Sequence, residues 1–192
     1  HYLDRNNKEK EDIEEGIKHL NEAVIRNNEY AKVQFVKTVE KYELEDEFEQ
    51  ASKLKQELLK KDNQPMLYYE GFKLTKSEDT HELLEGIEYL KRIENHEDED
   101  SVCYRLYKSY RDLDEEQELY YLTLSAGHDN EYALYNLAKY HEDNDNIEMS
   151  QSLYNKTLNI YLLKANANGS DIFTNKRLGH MFEKGKGTDI DV

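Results

Sequence analysis

The stretch Asn28-Glu29-Tyr30-Ala31 returns 102 residues later as Asn130-Glu131-Tyr132-Ala133. A second pair, EGIKHL at residues 15–20 and EGIEYL at residues 85–90, is displaced by 70 residues. The displacements equal three units of 34 and two units of 35, so two independent pairs agree on one period. A period of this length is typical of stacked helix pairs, in which each unit buries its apolar face only against its neighbours. The sequence therefore predicts a helical-repeat fold.

The rest of the chain favours helix nearly everywhere. Only one proline, Pro65, and 8 glycines occur in 192 residues, and apolar residues recur mostly three or four positions apart. Strands would need alternation with period two and more turn residues. Short polar stretches, such as residues 27–28, 61–64, 95–100 and 143–146, separate the apolar runs and predict turns. We expect an all-α fold: a right-handed superhelix of about five stacked helix pairs, forming a single domain over residues 1–192.

The repeat spacing also predicts which residues approach a neighbouring helix. Taking Ala138 as the position of closest packing, the equivalents are Val36, Gly71, Tyr107 and Gly179. The larger residue three positions later is expected to fill the gap beside it. One unit departs from the pattern, because Glu70 stands where a leucine is expected.

The C-terminal part resembles a known repeat family. Residues 119–128 (LYYLTLSAGH), followed by ALYNLA at residues 133–138, look like a Sel1-like repeat, a relative of the tetratricopeptide repeat. Residues 178–187 (LGHMFEKGKG), with Asp189 after them, are similar to the most recognisable segment of that family. The resemblance implies a right-handed superhelix that acts as an adaptor or scaffold for protein complexes.

The resemblance is uneven along the chain. Residues 117–192 match the Sel1-like pattern well, whereas residues 12–116 match only in period and core pattern and could equally be plain tetratricopeptide-like pairs. The chain stops at Val192, where the next helix of the repeat would begin. We therefore expect the last unit to be truncated.

Charge and hydropathy exclude several classes of partner. The chain carries 42 Asp and Glu against 26 Lys and Arg, a net charge of −16. Because phosphate binding relies on Lys and Arg, nucleic acid is not expected as a partner. No stretch approaches the roughly 20 apolar residues of a membrane helix, so no membrane insertion is expected. The first residues lack the apolar region of a signal peptide. We expect a soluble chain, or a fragment of something larger, with a cytoplasmic location favoured over a secretory one.

No motif points to catalysis, to a metal or to a cofactor. A single cysteine, Cys103, excludes an internal disulfide and a cysteine-based zinc site, and the 7 histidines lack paired metal spacing. The run Gly185-Lys186-Gly187-Thr188 departs from a phosphate loop, in which Ser or Thr follows the lysine directly, and it predicts a glycine-rich turn. We expect no enzyme activity, metal or cofactor within these residues.

Equivalent positions in the repeat predict a binding groove. In a tetratricopeptide-like superhelix the first helix of each pair lines the concave face, so residues just after the close-packing positions, and those one turn earlier, point into the groove. The candidate partner-binding residues are Lys37, Tyr68, Phe72, Tyr104, Lys108, Tyr135, Lys139 and His180. A basic, tyrosine-rich stripe in an acidic chain suits an acidic or C-terminal segment of a partner protein. The alternative is that these lysines form i,i+4 ion pairs along their own helices.

The sequence thus predicts a protein-protein interaction scaffold that holds a partner segment in the groove. Two alternatives stay open. The chain is an accessory or regulatory domain of a larger enzyme or complex, or it is a structural module that associates with itself through its C-terminal end, over residues 147–192.

Overall fold

The computed structural model describes residues 2–168 and 172–188, and these form ten α-helices and no strand. The helices are α1 (Tyr2–Ile25), α2 (Glu29–Tyr42), α3 (Phe48–Lys60), α4 (Gln64–Leu74), α5 (Thr80–Lys91), α6 (Asp100–Tyr110), α7 (Glu115–Gly127), α8 (Glu131–Asp143), α9 (Ile147–Asn168) and α10 (Ile172–Glu183). Short 3-10 turns, Glu45–Glu47 and His96–Asp98, precede α3 and α6. The all-α prediction is confirmed.

Four of the turns share one arrangement. A residue in the left-handed region ends the first helix, and the asparagine directly after it caps the next helix. The capping residues are Asn28, Asn63, Asn130 and Asn146, preceded by Asn27 (φ 61°), Asp62 (φ 52°), Asp129 (φ 62°) and Asp145 (φ 58°). Asn and Asp tolerate this conformation better than other residues with a Cβ. The Asn and Asp pairs at these polar breaks therefore explain why the helices end where they do.

At the repeated segments the cap geometry can be followed atom by atom. The Asn130 amide donates to the Ser125 carbonyl, 3.3 Å away, which closes α7, and its side-chain Oδ1 accepts from the amide of Ala133 at 3.0 Å. The Asn28 side chain accepts in the same way from the amide of Ala31 at 2.9 Å. The repeated sequence NEYA is thus a repeated helix start.

Helices that follow one another in the chain pack against each other, most extensively within the pairs α4–α5, α6–α7 and α8–α9. Alternate helices also meet. The Lys73 ammonium on α4 donates to Glu40 Oε2 on α2 at 2.6 Å, and the hydroxyl of Tyr68 on α4 donates to Ser101 Oγ on α6 at 3.2 Å. We call the five helices α2, α4, α6, α8 and α10 the even layer. Side-chain contacts link each of them to the next.

The core follows the chain in three successive clusters. The first spans α1 to α4 and includes Phe35, the second spans α4 to α8 around Leu106 and Leu134, and the third joins α8, α9 and α10 around Tyr154 and Met181. All five of these side chains are buried. Helix packing that stays local in sequence is typical of repeat arrays.

The predicted close-packing residues are buried in four of the five helices. Val36, Tyr107 and Ala138 are buried, and a Cβ at Gly71 would lie 2.6 Å from Leu90 Cδ2. The prediction is wrong for Gly179, which is exposed and would have nothing within 4 Å of an added Cβ. In the described residues no helix follows α10, so the side that carries Gly179 has no neighbour.

The predicted glycine-rich turn is confirmed. Gly185 (φ 61°) and Gly187 (φ 77°) adopt conformations that favour glycine, and the Lys186 amide donates to the Met181 carbonyl at 2.8 Å. The expected end of the last unit, from Asp189 to Val192, lies outside the described residues. No helix in the part that the structure describes is both long enough and apolar enough to span a membrane.

Candidate functional site

The even layer differs in charge from the rest of the chain. Its five helices carry 9 Lys and Arg against 8 Asp and Glu, whereas the whole chain carries 26 against 42. The excess negative charge therefore lies on the other helices and in the turns. The five helices of the even layer together therefore carry no net negative charge, although the protein is acidic.

The acidic residues of the even layer lie at helix ends or are held by other groups. Glu29, Asp100 and Glu131 begin their helices, and Asp143 and Glu183 end theirs. Of the rest, Glu40 is ion-paired, Glu70 is buried, and Glu142 accepts hydrogen bonds from Lys186 and from Tyr154. The middle of each helix is thus left to aromatic and basic side chains.

Between α4 and α6 the predicted residues Tyr68 and Phe72 stack on each other. Their ring centroids are 4.3 Å apart with an interplanar angle of 21°. The guanidinium of Arg105 lies over the Phe72 ring, 5.1 Å from its centroid. Together with the hydrogen bond from Tyr68 to Ser101, these contacts hold both rings in place before any partner binds.

Between α6 and α8 the predicted residue Tyr104 lies among other rings. Its centroid is 5.7 Å from that of Tyr107 and 6.0 Å from that of Tyr132 on α8. Burial raises the pKa of Tyr104, and the neighbouring phenols add to this, whereas Arg111 and Arg177 oppose it. Arg177 belongs to α10, so groups from three helices of the even layer, α6, α8 and α10, act on this phenol.

Tyr135 on α8 is the centre of the last group. Its ring contacts Tyr154 at 5.4 Å and the predicted residue His180 at 6.5 Å between centroids. The Arg177 guanidinium lies over the same ring at 5.3 Å. The structure thus brings together two residues that are 45 positions apart in the sequence, Tyr135 and His180.

The three predicted lysines have different surroundings. The Lys37 ammonium lies over the ring of Tyr69 on α4, 5.1 Å from its centroid. Lys108 and Lys139 are exposed, and Lys139 lowers the pKa of Glu142 electrostatically, the hydrogen bond from Lys186 being the main cause of that shift. The i,i+4 ion pairs of the described residues join other side chains, Lys53 to Glu49 among them. The alternative explanation of the three lysines therefore finds no such pair in the described residues.

Four further residues of the even layer were not predicted from the sequence: Tyr69, Arg105, Tyr132 and Arg177. Arg105 and Arg177 directly follow Tyr104 and Lys176, which stand at equivalent positions of the repeat. That shared position was a usable signal. Tyr132 stands in the repeated NEYA segment at the start of α8, where the cap was the more obvious role.

The described residues contain no group of three or more His, Cys, Asp or Glu side chains that could hold a metal ion. A scan against protein-family models finds no match to this chain, and a search of curated proteins finds none. The contacts of the even layer are therefore the observations that bear on function.

Proposed function

We propose that this protein is an interaction scaffold, and that the even layer binds an acidic or C-terminal segment of a partner protein. One observation supports the proposal above others. In a chain of net charge −16, the even layer combines exposed lysines with rings that are already fixed by neighbouring helices. Preformed side-chain rows reduce the entropy that binding costs.

The proposal includes an architecture. We infer a right-handed superhelix of about five stacked helix pairs, of the Sel1-like or tetratricopeptide-like kind, with the even layer on its concave face. The period of the sequence, the packing of neighbouring helices and the contacts between alternate helices support this arrangement. Small-angle scattering tests it, because a solenoid has a larger radius of gyration than a compact bundle of equal length.

In this mechanism the rings and the lysines have separate roles. The rings of Tyr68, Phe72, Tyr104 and Tyr135 supply contact area at low entropic cost. Lys108 and Lys139, one turn beyond Tyr104 and Tyr135, pair with carboxylates of the partner segment. Because exposed ion pairs contribute little individually, affinity is expected to be moderate and sensitive to salt.

The test uses the charge-reversal variant Lys108→Glu/Lys139→Glu. We would capture partners from native lysate with the parent chain and with the variant, identify them by mass spectrometry and titrate a purified partner against both. The expected result is a partner that the parent retains and that binds the variant at least about tenfold more weakly, or about 1.4 kcal/mol. Equal affinity for both would refute the even-layer site.

The matched control is Lys60→Glu/Lys91→Glu. These lysines are exposed too, and they end α3 and α5, which lie outside the even layer. The control makes the same change in net charge, so a general loss of attraction would weaken it equally. Retained binding by the control and unchanged helicity of both variants assign the effect to the even layer.

Self-association is a second candidate, favoured by apolar side chains on the last two helices. Leu163 on α9 is 70% exposed, Ile172 on α10 is 79% exposed and Phe182 is 47% exposed. These large exposed apolar side chains lie on two helices that pack against each other, and exposed apolar surface is a common mark of a protein interface. Light scattering at several concentrations tests it: we expect a dimer that Leu163→Glu/Ile172→Glu abolishes, and a monomer at all concentrations would refute it.

A further inference from the structure

A cavity of about 600 Å³ lies where the C-terminal ends of α2 and α4 meet the start of α3. Its walls are Val39, Glu40, Glu43, Glu45, Phe48, Lys55 and Lys73. The volume is in the range of small-molecule sites. None of the predicted partner-binding residues lines it, although Val39, Glu40 and Lys73 belong to α2 and α4 of the even layer.

Two lysines of the wall are each held between two carboxylates. The Lys55 ammonium donates to Glu40 Oε1 at 2.8 Å and to Glu70 Oε2 at 3.5 Å. The Lys73 ammonium donates to Glu40 Oε2 at 2.6 Å and lies 3.7 Å from Glu70 Oε1. The hydroxyl of Tyr69 also donates to Glu40 Oε2, at 3.1 Å. The two positive charges are therefore matched by two negative charges inside the protein.

Glu70 is the second carboxylate that contacts both lysines. Its side chain is only 5% exposed, and its Oε1 has no hydrogen-bond partner among the described residues. Burial raises the pKa of Glu70, and the two lysines oppose that shift in part. Since Glu70 and Glu40 compensate Lys55 and Lys73, the lysines do not make the cavity an anion site.

The mouth of the cavity, unlike the two lysines of its wall, has charges that are not paired within the described residues. Glu43 and Glu45 are exposed there, and no ion pair involves either of them within residues 2–168 and 172–188. The Phe48 ring is 62% exposed beside them, while the buried side chain of Val39 forms an apolar part of the wall. Two uncompensated carboxylates, an open aromatic face and an apolar wall converge on one space.

We propose that this cavity binds an organic cation, with an ammonium or guanidinium group at Glu43 and Glu45 and an apolar body against Phe48 and Val39. The carboxylates supply charge attraction, and the Phe48 ring supplies cation–π attraction to the same group. A free amine and the side chain of a basic peptide share this chemistry. The proposed cation contacts none of the residues assigned above to the binding of a partner segment.

The test compares three probes of one shape. Hexylammonium carries the cation and the apolar body, hexanoate carries the opposite charge, and 1-hexanol carries none. We would titrate each against the full chain at low salt by saturation-transfer NMR. Saturable binding of hexylammonium, with hexanol weaker and hexanoate absent, is expected. Tighter binding of hexanoate, or no saturable binding of hexylammonium, would overturn the proposal.

Variants locate the bound cation. Phe48→Ala should weaken hexylammonium binding about threefold, a typical loss for an exposed cation–π contact, and Glu43→Gln/Glu45→Gln should weaken it more. The control, Glu78→Gln/Glu88→Gln, removes two exposed carboxylates elsewhere. Unchanged affinity in both cavity variants would refute the site, and thermal melts show whether each variant is folded.

A second ligand distinguishes the two sources of the cation. N-acetyl-argininamide presents a guanidinium as a peptide does, and it should compete with hexylammonium for the same cavity. Tighter binding of N-acetyl-argininamide assigns the site to a basic peptide side chain, and tighter binding of hexylammonium assigns it to a free amine. Binding of both without competition would contradict a single cation site.

Discussion

Replacing Glu70 by leucine is expected to stabilise the protein. The carboxylate is buried at the position where the repeat pattern calls for leucine, and its Oε1 accepts no hydrogen bond in the described residues. Burial raises the pKa of Glu70 despite the two nearby lysines, which means that its surroundings disfavour the charged form relative to water. A leucine side chain at this position would remove that penalty and add apolar contact.

The size of the effect follows from the contacts. A buried leucine side chain contributes about 1.5–3 kcal/mol, and the desolvation penalty of a carboxylate is several kcal/mol. The loss is two long contacts, of 3.5 and 3.7 Å, from lysines that keep their shorter contacts with Glu40. Those lysines are 25% and 48% exposed and stay hydrated. We expect Glu70→Leu to raise the free energy of unfolding by about 1.5 kcal/mol and the Tm by about 3–6 °C.

The dependence on pH separates the charge from the apolar contact. Because the pKa of Glu70 is higher in the folded state, its cost is fully present above that pKa and disappears as pH falls towards the ordinary value of 4.5. Urea unfolding at several pH values between 7 and 4.5 measures this. The advantage of the leucine variant should be largest at pH 7 and should shrink at lower pH.

Glu40→Gln is the matched comparison. Burial raises the pKa of Glu40, but the hydrogen bonds from Lys55 and Lys73 outweigh it, so the net shift is downward and the carboxylate stabilises the fold at neutral pH. That stability is lost as pH falls through the lowered pKa. We expect the Gln variant to lose about 1.5–3 kcal/mol at pH 7. Destabilisation of Glu70→Leu by more than about 1 kcal/mol would refute the reasoning for Glu70.

Three further predictions concern packing, capping and reactivity. Gly71→Ala should cost about 1–3 kcal/mol because its Cβ would meet Leu90 at 2.6 Å, whereas Gly179→Ala, in an open part of α10, should gain up to about 1 kcal/mol; thermal melts of the pair compare them. Asn130→Ala should cost about 1–2 kcal/mol, since its side chain caps α8 and donates to Asp100, and hydrogen exchange should speed up first at the start of α8. Cys103 is buried and its pKa is raised to about 11, chiefly by burial, so a thiol reagent at pH 8 should modify it only on unfolding; rapid modification of the native chain would contradict the burial.

The parts of the fold that depend on nearby residues could be predicted from the sequence. The polar breaks are turns because adjacent residues, such as Asp129 and Asn130, end one helix and cap the next. The period predicted the buried positions Val36 and Ala138, which face helices close in the chain. The prediction for Gly179 was wrong because a residue is buried only where another helix covers it. The sequence pattern of one helix does not show whether another helix does so.

The charge cluster could not be predicted in the same way. The sequence marked Glu70 as an exception to the repeat, but besides Lys73 on the same helix its surroundings come from other helices, Lys55 on α3 and, through that lysine, Glu40 on α2. No spacing rule for a single helix links Glu70, Lys55 and Glu40. The sequence therefore located the irregular unit, and only the three-dimensional contacts showed that it holds a closed set of charges beside a cavity.

The net charge of the chain and the side chains of the even layer act on a partner at different distances. At 0.1 M salt the repulsion between a chain of net charge −16 and an acidic segment is largely screened beyond a Debye length, roughly 10 Å, and at lower salt it reaches further. In the proposed complex, Lys108 and Lys139 attract the segment only once it is closer than this to the even layer. Salt therefore weakens the repulsion before contact as well as the attraction in the complex. An acidic partner of this protein would be selected by the match of its carboxylates to Lys108 and Lys139 beside the fixed rings, because overall charge attraction gives it no advantage.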